Sequence, residues 1–431
     1  MSDAASLRKL PLASPREGPS RRHLPLLPEV RAEDREARPG YVVWELTLKC
    51  DLRCRHCGSR AGKARAGELT TEEALRLVDE LAEMGTREVT LIGGEAYLHA
   101  GWLDVVAALH ARGIEVGLLT GGQGMTAERA RAAKDAGVGT ISVSVDGLED
   151  VHDDVRAKEG SHAKAMIALR NVLEAGIRPT ANTQITRPAL RQIEPMFEAL
   201  MDAGIRAWQV SMTVPMGRAA DAPELLLQPY QVLEVQPMLA RIVARANARG
   251  VHVFPGNDIG YFGPYETRLR PEGHRSSCSA GKLGMGIEAD GAIKGCPSLP
   301  SADYVGGNVR DASLRDIWER APPLQFNRRR GIESLWGYCA TCYYAEPCLG
   351  GCSWTAHVLF GKIGNNPYCH HRALDLLDRG LRERVERVAR APGRPFDYGR
   401  FDVVVEPWNE AELARARVLA ETGEGFLDDP A

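Results

Sequence analysis

From residue 41 to about residue 255 the chain alternates short runs of β-branched and other apolar residues with longer stretches whose apolar positions recur at helical spacing. That alternation is the mark of βα units around a parallel sheet. The strands read as Val42–Leu48, Glu88–Ile92, Glu115–Leu119, Thr140–Val145, Pro179–Ile185 and Ala207–Met212, each followed by an amphipathic helix. The first helix has a clear start: Thr70 or Thr71 stands before Glu72 and Glu73, apolar residues run from Ala74 through Leu75, Val78 and Leu81 to Met84, and Gly85 ends it. Six units predict an α/β fold, a partial (β/α)6 TIM-like barrel that stays open, with ligands at the carboxyl ends of its strands.

The helical repeat stops near residue 255. From 256 to 372 Gly, Pro, Tyr and Cys dominate, as in a small cysteine-rich domain that depends on metal for stability. A last helix is expected near 373–390, with a weakly patterned tail to 431. Residues 1–40, rich in Arg, Pro, Glu and Ser, read as a mobile arm too polar and too short to fold alone.

Composition narrows the setting. A 431-residue chain with 44% hydrophobic residues can bury a barrel-sized core and carry a second domain. A formal charge of −3 offers no positive field for nucleic acid or anionic lipid. With no apolar run of membrane-spanning length and no export signal, the cytoplasm is the expected compartment. Thiols there stay reduced, so ten cysteines read as metal ligands or catalysts rather than disulfides.

Three of them, Cys50, Cys54 and Cys57, form Cys-x3-Cys-x2-Cys at the carboxyl end of the first strand. A loop with this spacing can wrap three thiolates around one face of an iron–sulfur cubane and leave the fourth iron open. Zinc with His56 as fourth ligand is the other reading, made awkward by the adjacency of His56 and Cys57. Here the chain resembles the radical S-adenosylmethionine (SAM) superfamily, and the likeness runs over nearly all of 41–372. The resemblance implies a [4Fe-4S] cluster whose open iron chelates the amino and carboxylate groups of SAM, and reductive splitting of its sulfonium to a 5′-deoxyadenosyl radical. It places His56, at a position usually aromatic, against the adenine.

Other marks of that family fall at strand ends. Gly93-Gly94-Glu95 follows the second strand, where the resemblance implies that backbone and Glu95 hold the SAM ammonium. Ser144 ends the fourth strand and Arg156 lies twelve residues on, matching a Ser…Arg pair that contacts the ribose and carboxylate. Thr120 and Asn182 are further candidates, equally readable as side chains capping strand ends.

The other seven cysteines read Cys278-x12-Gly291-x4-Cys296, then Cys339-x2-Cys342-x5-Cys348-x3-Cys352, then Cys369. Taken as residues, Cys339, Cys342, Cys348 and Cys352 also suit a zinc ribbon. The whole pattern is similar to the SPASM domain, which implies two auxiliary clusters of the [4Fe-4S] kind: Cys278, Cys296 and Cys352 on one, Cys339, Cys342, Cys348 and Cys369 on the other. Some relatives carry one more cysteine just before Cys278. Here that stretch is Pro271–Ser277, which leaves His274, Glu272, water or substrate to complete the first auxiliary cluster.

The resemblance implies hydrogen abstraction followed by crosslinking or oxidation of a ribosomally made peptide, with a flavodoxin- or ferredoxin-type electron donor; leader recognition, if used, would need a separate leader-binding protein or another surface. A small molecule such as a tetrapyrrole precursor is the alternative substrate, and a non-catalytic iron–sulfur electron carrier the alternative function. The loop 256–265 reads either as a wall of the substrate pocket or as a Gly/aromatic linker.

Overall fold

A computed structural model describes residues 37–260, 262–270 and 278–427. The N-terminal arm up to residue 36 lies outside them. The six expected strands are present as β1 (Tyr41–Thr47), β2 (Glu88–Gly93), β3 (Glu115–Thr120), β4 (Thr140–Ser144), β5 (Arg178–Ile185) and β6 (Ala207–Met212). Helix Thr71–Glu83 begins where the sequence predicts. Thr70 Oγ accepts from the Glu73 amide at 3.2 Å and the Glu73 carboxylate accepts from the Thr70 amide at 2.8 Å, a reciprocal cap. The helix lays Ala74, Leu77, Val78 and Leu81 on the sheet.

The sheet is larger than six strands. β7 (His252–Pro255) adds to β6, and β8 (Gly284–Ile287) pairs in parallel with the far side of β1, so eight strands run parallel in the order β8-β1-β2-β3-β4-β5-β6-β7. β9 (Ala292–Lys294) and β10 (Gly307–Asn308) continue antiparallel beyond β8. The ends of the sheet, β10 and β7, are not paired with each other, so the barrel is open. Within β8, Gly286 is required because the chain at Pro297 presses on it: a Cβ there would sit 2.6 Å from the Pro297 backbone.

The C-terminal part differs from expectation. The helix covers His370–Asp378 only; Gly380 turns at φ 72°, and Leu381–Ala389 is a strand, β11, pairing antiparallel with β12 (Arg400–Pro407) before a helix at Glu410–Thr422. Beyond Gly380 the inward residues Glu383 and Val385 alternate at strand spacing, and Glu383 pairs with buried Arg372 at 2.6 Å. The hairpin tip reaches the barrel mouth. The Phe396 amide donates to Gly58 O at 3.2 Å, the Gly217 amide to Asp397 O at 2.7 Å, and Arg60 Nε to Asp397 Oδ1 at 2.8 Å. Among the described residues no helix is long and apolar enough to cross a membrane.

Candidate functional site

A cavity of about 710 Å³ runs along the inner face of the sheet, from the strand starts at Tyr41, Glu88 and Glu115 to the carboxyl ends of the strands. Cys50, Cys54, Cys57 and His56 line it, together with Gly93, Gly94, Glu95, Thr120, Ser144, Arg156 and Asn182. The loop that carries the cysteines is closed by its own backbone, with the Cys50 amide on Gly62 O and the Gly62 amide on Leu48 O. Arg218, just past β6, locks it from outside: Nε donates to Cys54 O at 2.6 Å, Nη1 to Ala61 O at 3.1 Å, and its amide to Cys57 O at 3.0 Å.

The Gly93-Gly94 pair serves first to bring β2 against that loop. A Cβ on Gly93 would lie 2.2 Å from Thr47 O and one on Gly94 2.1 Å from Lys49 O, while the amides of Gly94 and Glu95 donate to those same two carbonyls. The Glu95 carboxylate is then fixed by Thr120 Oγ at 2.7 Å and the Gly121 amide at 2.6 Å. Thr120 therefore orients Glu95 instead of merely capping its strand. Burial pushes the Glu95 carboxyl up to about 8. Oxygens of Asp51 and Glu95 and Cys50 Sγ lie within 4.8 Å of one another, a corner of the cavity suited to a cationic group.

A residue the sequence reading gave no role organises the opposite wall. Asp146, fully buried two residues past Ser144, lies 2.5 Å from Arg156 and 3.3 Å from His56 Nε2, and accepts from the Gln184 amide at 2.9 Å. Burial works to raise its carboxyl, but the charge of Arg156, then His56, outweighs this and holds it well below the usual range. His152 donates nothing here: its Nδ1 accepts from the Asp146 amide, and burial, then Arg156, lower it to about 3, so it is neutral. Arg156 Nη1 also points at Cys54 Sγ, 3.7 Å away. Arg156 Nε and His56 Nδ1 are buried with no hydrogen-bond partner among the described residues, the pattern of polar groups waiting for a ligand. The only local signal for Asp146 was its place at a strand end in Ser144-Val145-Asp146-Gly147.

The upper wall is apolar. Val214, Met216, Trp354 and Phe396 face the cavity there, with Trp354 Nε1 on Met216 Sδ at 3.2 Å. The loop 256–265, readable as a pocket wall or as a linker, contributes none of its described residues to the lining of this cavity. Asp258 caps β6 by accepting from the Met212 amide at 2.6 Å, and Phe262 stacks on Tyr344 at 4.3 Å; Tyr261 lies outside the described residues.

The remaining cysteines form two groups. Cys278, Cys296 and Cys352 are close enough that burial, with Cys278 adding to it, raises Cys296 to about 11 and Cys352 to about 12. His274 and Glu272 lie outside the described residues. Cys339, Cys342, Cys348 and Cys369 line one small cavity with Tyr338, Tyr344 and Phe262, where burial lifts Cys342 to about 12, Cys369 to about 11 and Cys348 well above the usual range. Cys50 is raised to about 12 by burial, then by Glu95. Thiolates are disfavoured in such places unless a cation neutralises them, so all three all-sulfur sets fit metal centres.

Comparison with known proteins agrees with this chemistry. Residues 44–214 match the Radical SAM superfamily, and residues 278–343 match the SPASM iron-sulfur cluster-binding domain. The chain is 30% identical over 320 residues to the mycofactocin maturase MftC of Mycobacterium ulcerans (73% of this chain, 83% of that one). It is 29% identical over 345 residues to an AdoMet-dependent heme synthase of Methanosarcina barkeri (78% and 97%), and 29% identical over 378 residues to a PqqA peptide cyclase of Ruegeria pomeroyi (84% and 95%). Streptococcus suis SuiB bound to the precursor peptide SuiA shares the fold, with TM-score 0.62 at 15% identity over 78% of this chain and 77% of that one.

Proposed function

The chain belongs to the radical SAM superfamily, with a SPASM domain, and from this premise we propose that it modifies a ribosomally made peptide by hydrogen abstraction, as a crosslinking or oxidising maturase. Cys50, Cys54 and Cys57 would hold the SAM cluster, Cys278, Cys296 and Cys352 one auxiliary cluster, and Cys339, Cys342, Cys348 and Cys369 the other. With SAM bound, the first cluster supplies a 5′-deoxyadenosyl radical. The chain's own residues orient and enclose. The corner of Asp51 and Glu95 receives the SAM ammonium, Arg156 Nε its carboxylate, Ser144 and Asn182 the ribose, and His56 the adenine, while Trp354 and Phe396 keep water from the upper wall.

The observation that carries the peptide reading is the state of the cavity's arginines. Arg156 is held by Asp146, Arg218 is engaged with backbone carbonyls, and Arg178 begins β5 at the far end of the barrel. Among the described residues that line the cavity, no arginine or lysine at the mouth is left for the carboxylates of a tetrapyrrole, whereas amide-bearing Gln184 and Gln209 and the apolar upper wall suit a peptide. The second reading, a tetrapyrrole substrate, draws support from the heme synthase relative, which is matched over 97% of its length. The test offers reconstituted enzyme, SAM and a strong reductant either short peptides encoded beside its gene or an iron porphyrin. A peptide that loses hydrogen by mass, in step with 5′-deoxyadenosine, supports the proposal; change in the porphyrin alone overturns it. A flavodoxin or ferredoxin would supply the electron in the cell, and a separate leader-binding protein would present the peptide.

A further inference from the structure

Between the two auxiliary cysteine groups stands a guanidinium with no carboxylate partner among the described residues. Arg330 Nη1 donates to Ser353 Oγ at 2.8 Å, Nη2 to the backbone oxygen of Leu349, and Nε to Ser334 Oγ at 3.4 Å. Ser353 directly follows Cys352 of one group, and Leu349 directly follows Cys348 of the other. One side chain thus grips the backbone and side chain next to a cysteine of each group.

The segment it spans needs such a grip. Leu349, Gly350 and Gly351 all take positive φ, at 50°, 74° and 69°, and the non-glycine Leu349 is strained there unless its surroundings hold it. The charge of Arg330 is half-buried. Burial works against it, and the groups that favour it are the thiols of Cys278, Cys348 and Cys352, with Tyr304. Arg372, beside the second group, is different: its charge is taken up by Glu383. Among the described residues Arg330 keeps its charge for both groups.

We infer that Arg330 is a positioning residue shared by the two auxiliary clusters, fixing the Cys348–Cys352 turn and raising both reduction potentials together. The inference rests on the reading that these cysteine groups hold clusters. Reduction adds negative charge to a cluster, and a fixed cation with few water neighbours stabilises the reduced form, as do hydrogen bonds around the ligating sulfurs. Lysine keeps the charge without the planar fork.

The test uses full-length protein with Cys50, Cys54 and Cys57 changed to Ala, reconstituted anaerobically, so that only auxiliary signals remain in a redox titration followed by electron paramagnetic resonance. Arg330→Gln should move both auxiliary potentials to more negative values, and Arg330→Lys should leave both near those of the parent. Unchanged potentials in the Gln variant, a shift of one signal alone, or an equal shift in the Lys variant would overturn the inference. If the Gln variant loses iron, loss from both groups supports the shared clamp and loss from one group overturns it. A parent with no auxiliary iron would instead refute the cluster reading itself.

Discussion

The carboxylate of Asp146 lies 2.5 Å from the guanidinium of Arg156, and both are buried at the carboxyl end of β4. The pair fixes Arg156 beside Cys54 and, through the same carboxylate, sets the tilt of His56. Asp146→Asn should therefore weaken SAM binding about ten- to hundredfold, the equivalent of about 1.5–3 kcal/mol for a misplaced charge-assisted bond. Auxiliary iron should be unaffected. Equilibrium binding of SAM together with iron analysis checks this, and parent-like affinity would remove Asp146 from the site.

Changing Cys50, Cys54 and Cys57 together to Ala should abolish release of 5′-deoxyadenosine under a strong reductant while the protein stays brown from its auxiliary iron. SAM cleavage that survives the triple change would show that the radical-generating cluster lies elsewhere.

Phe396 is 7% exposed, with φ 57°, packed against Val214, Met216 and Val358. Truncating a buried Phe to Ala costs about 3–5 kcal/mol in well-packed surroundings. Phe396→Ala should thus free the hairpin tip first, seen as faster amide exchange at Phe396 and Gly217, whose partners are Gly58 O and Asp397 O. Exchange unchanged at both amides would show that the packing of Phe396 does not hold the tip.

Glu45, fully buried in β1, accepts from the Ala289 amide at 3.3 Å, and burial, then Glu288, raises its carboxyl from 4.5 to about 7. The native state thus keeps a proton that the unfolded chain releases above pH 4.5. Stability from this group is full below pH 4.5 and falls as pH rises to about 7, by about 3 kcal/mol in all. Glu45→Gln should flatten that slope and melt higher than the parent at pH 8. Parallel pH profiles of the melting temperature for the two proteins would refute it.

Much of this is legible in the sequence. The six βα units, the capped helix at Thr71 and the cysteine spacings are local patterns, and local patterns survive in a single sequence. What could not be read depends on long-range contact. β8 carries two glycines and looks like a loop until β1 and Pro297 are brought to it. The region after Asp378 reads as helix until Gly380 breaks it and Glu383 finds Arg372. Asp146 reaches His56, and Arg218 reaches Cys54, only across the barrel mouth, and neither belongs to a recognisable motif.

The parallel pairing of β8 with β1, Val42 opposite Met285 and Trp44 opposite Ile287, also bears on what happens when the two halves are separated. Without residues beyond 255, the strand leading to Cys50 would present an open row of amides and carbonyls flanked by the buried side chains of Val42 and Trp44. Such an edge is sticky, a template for another chain. Expressed alone, the barrel half would gather into β-linked aggregates rather than stand as a smaller enzyme, and the cysteine-rich half is what guards it from its own kind.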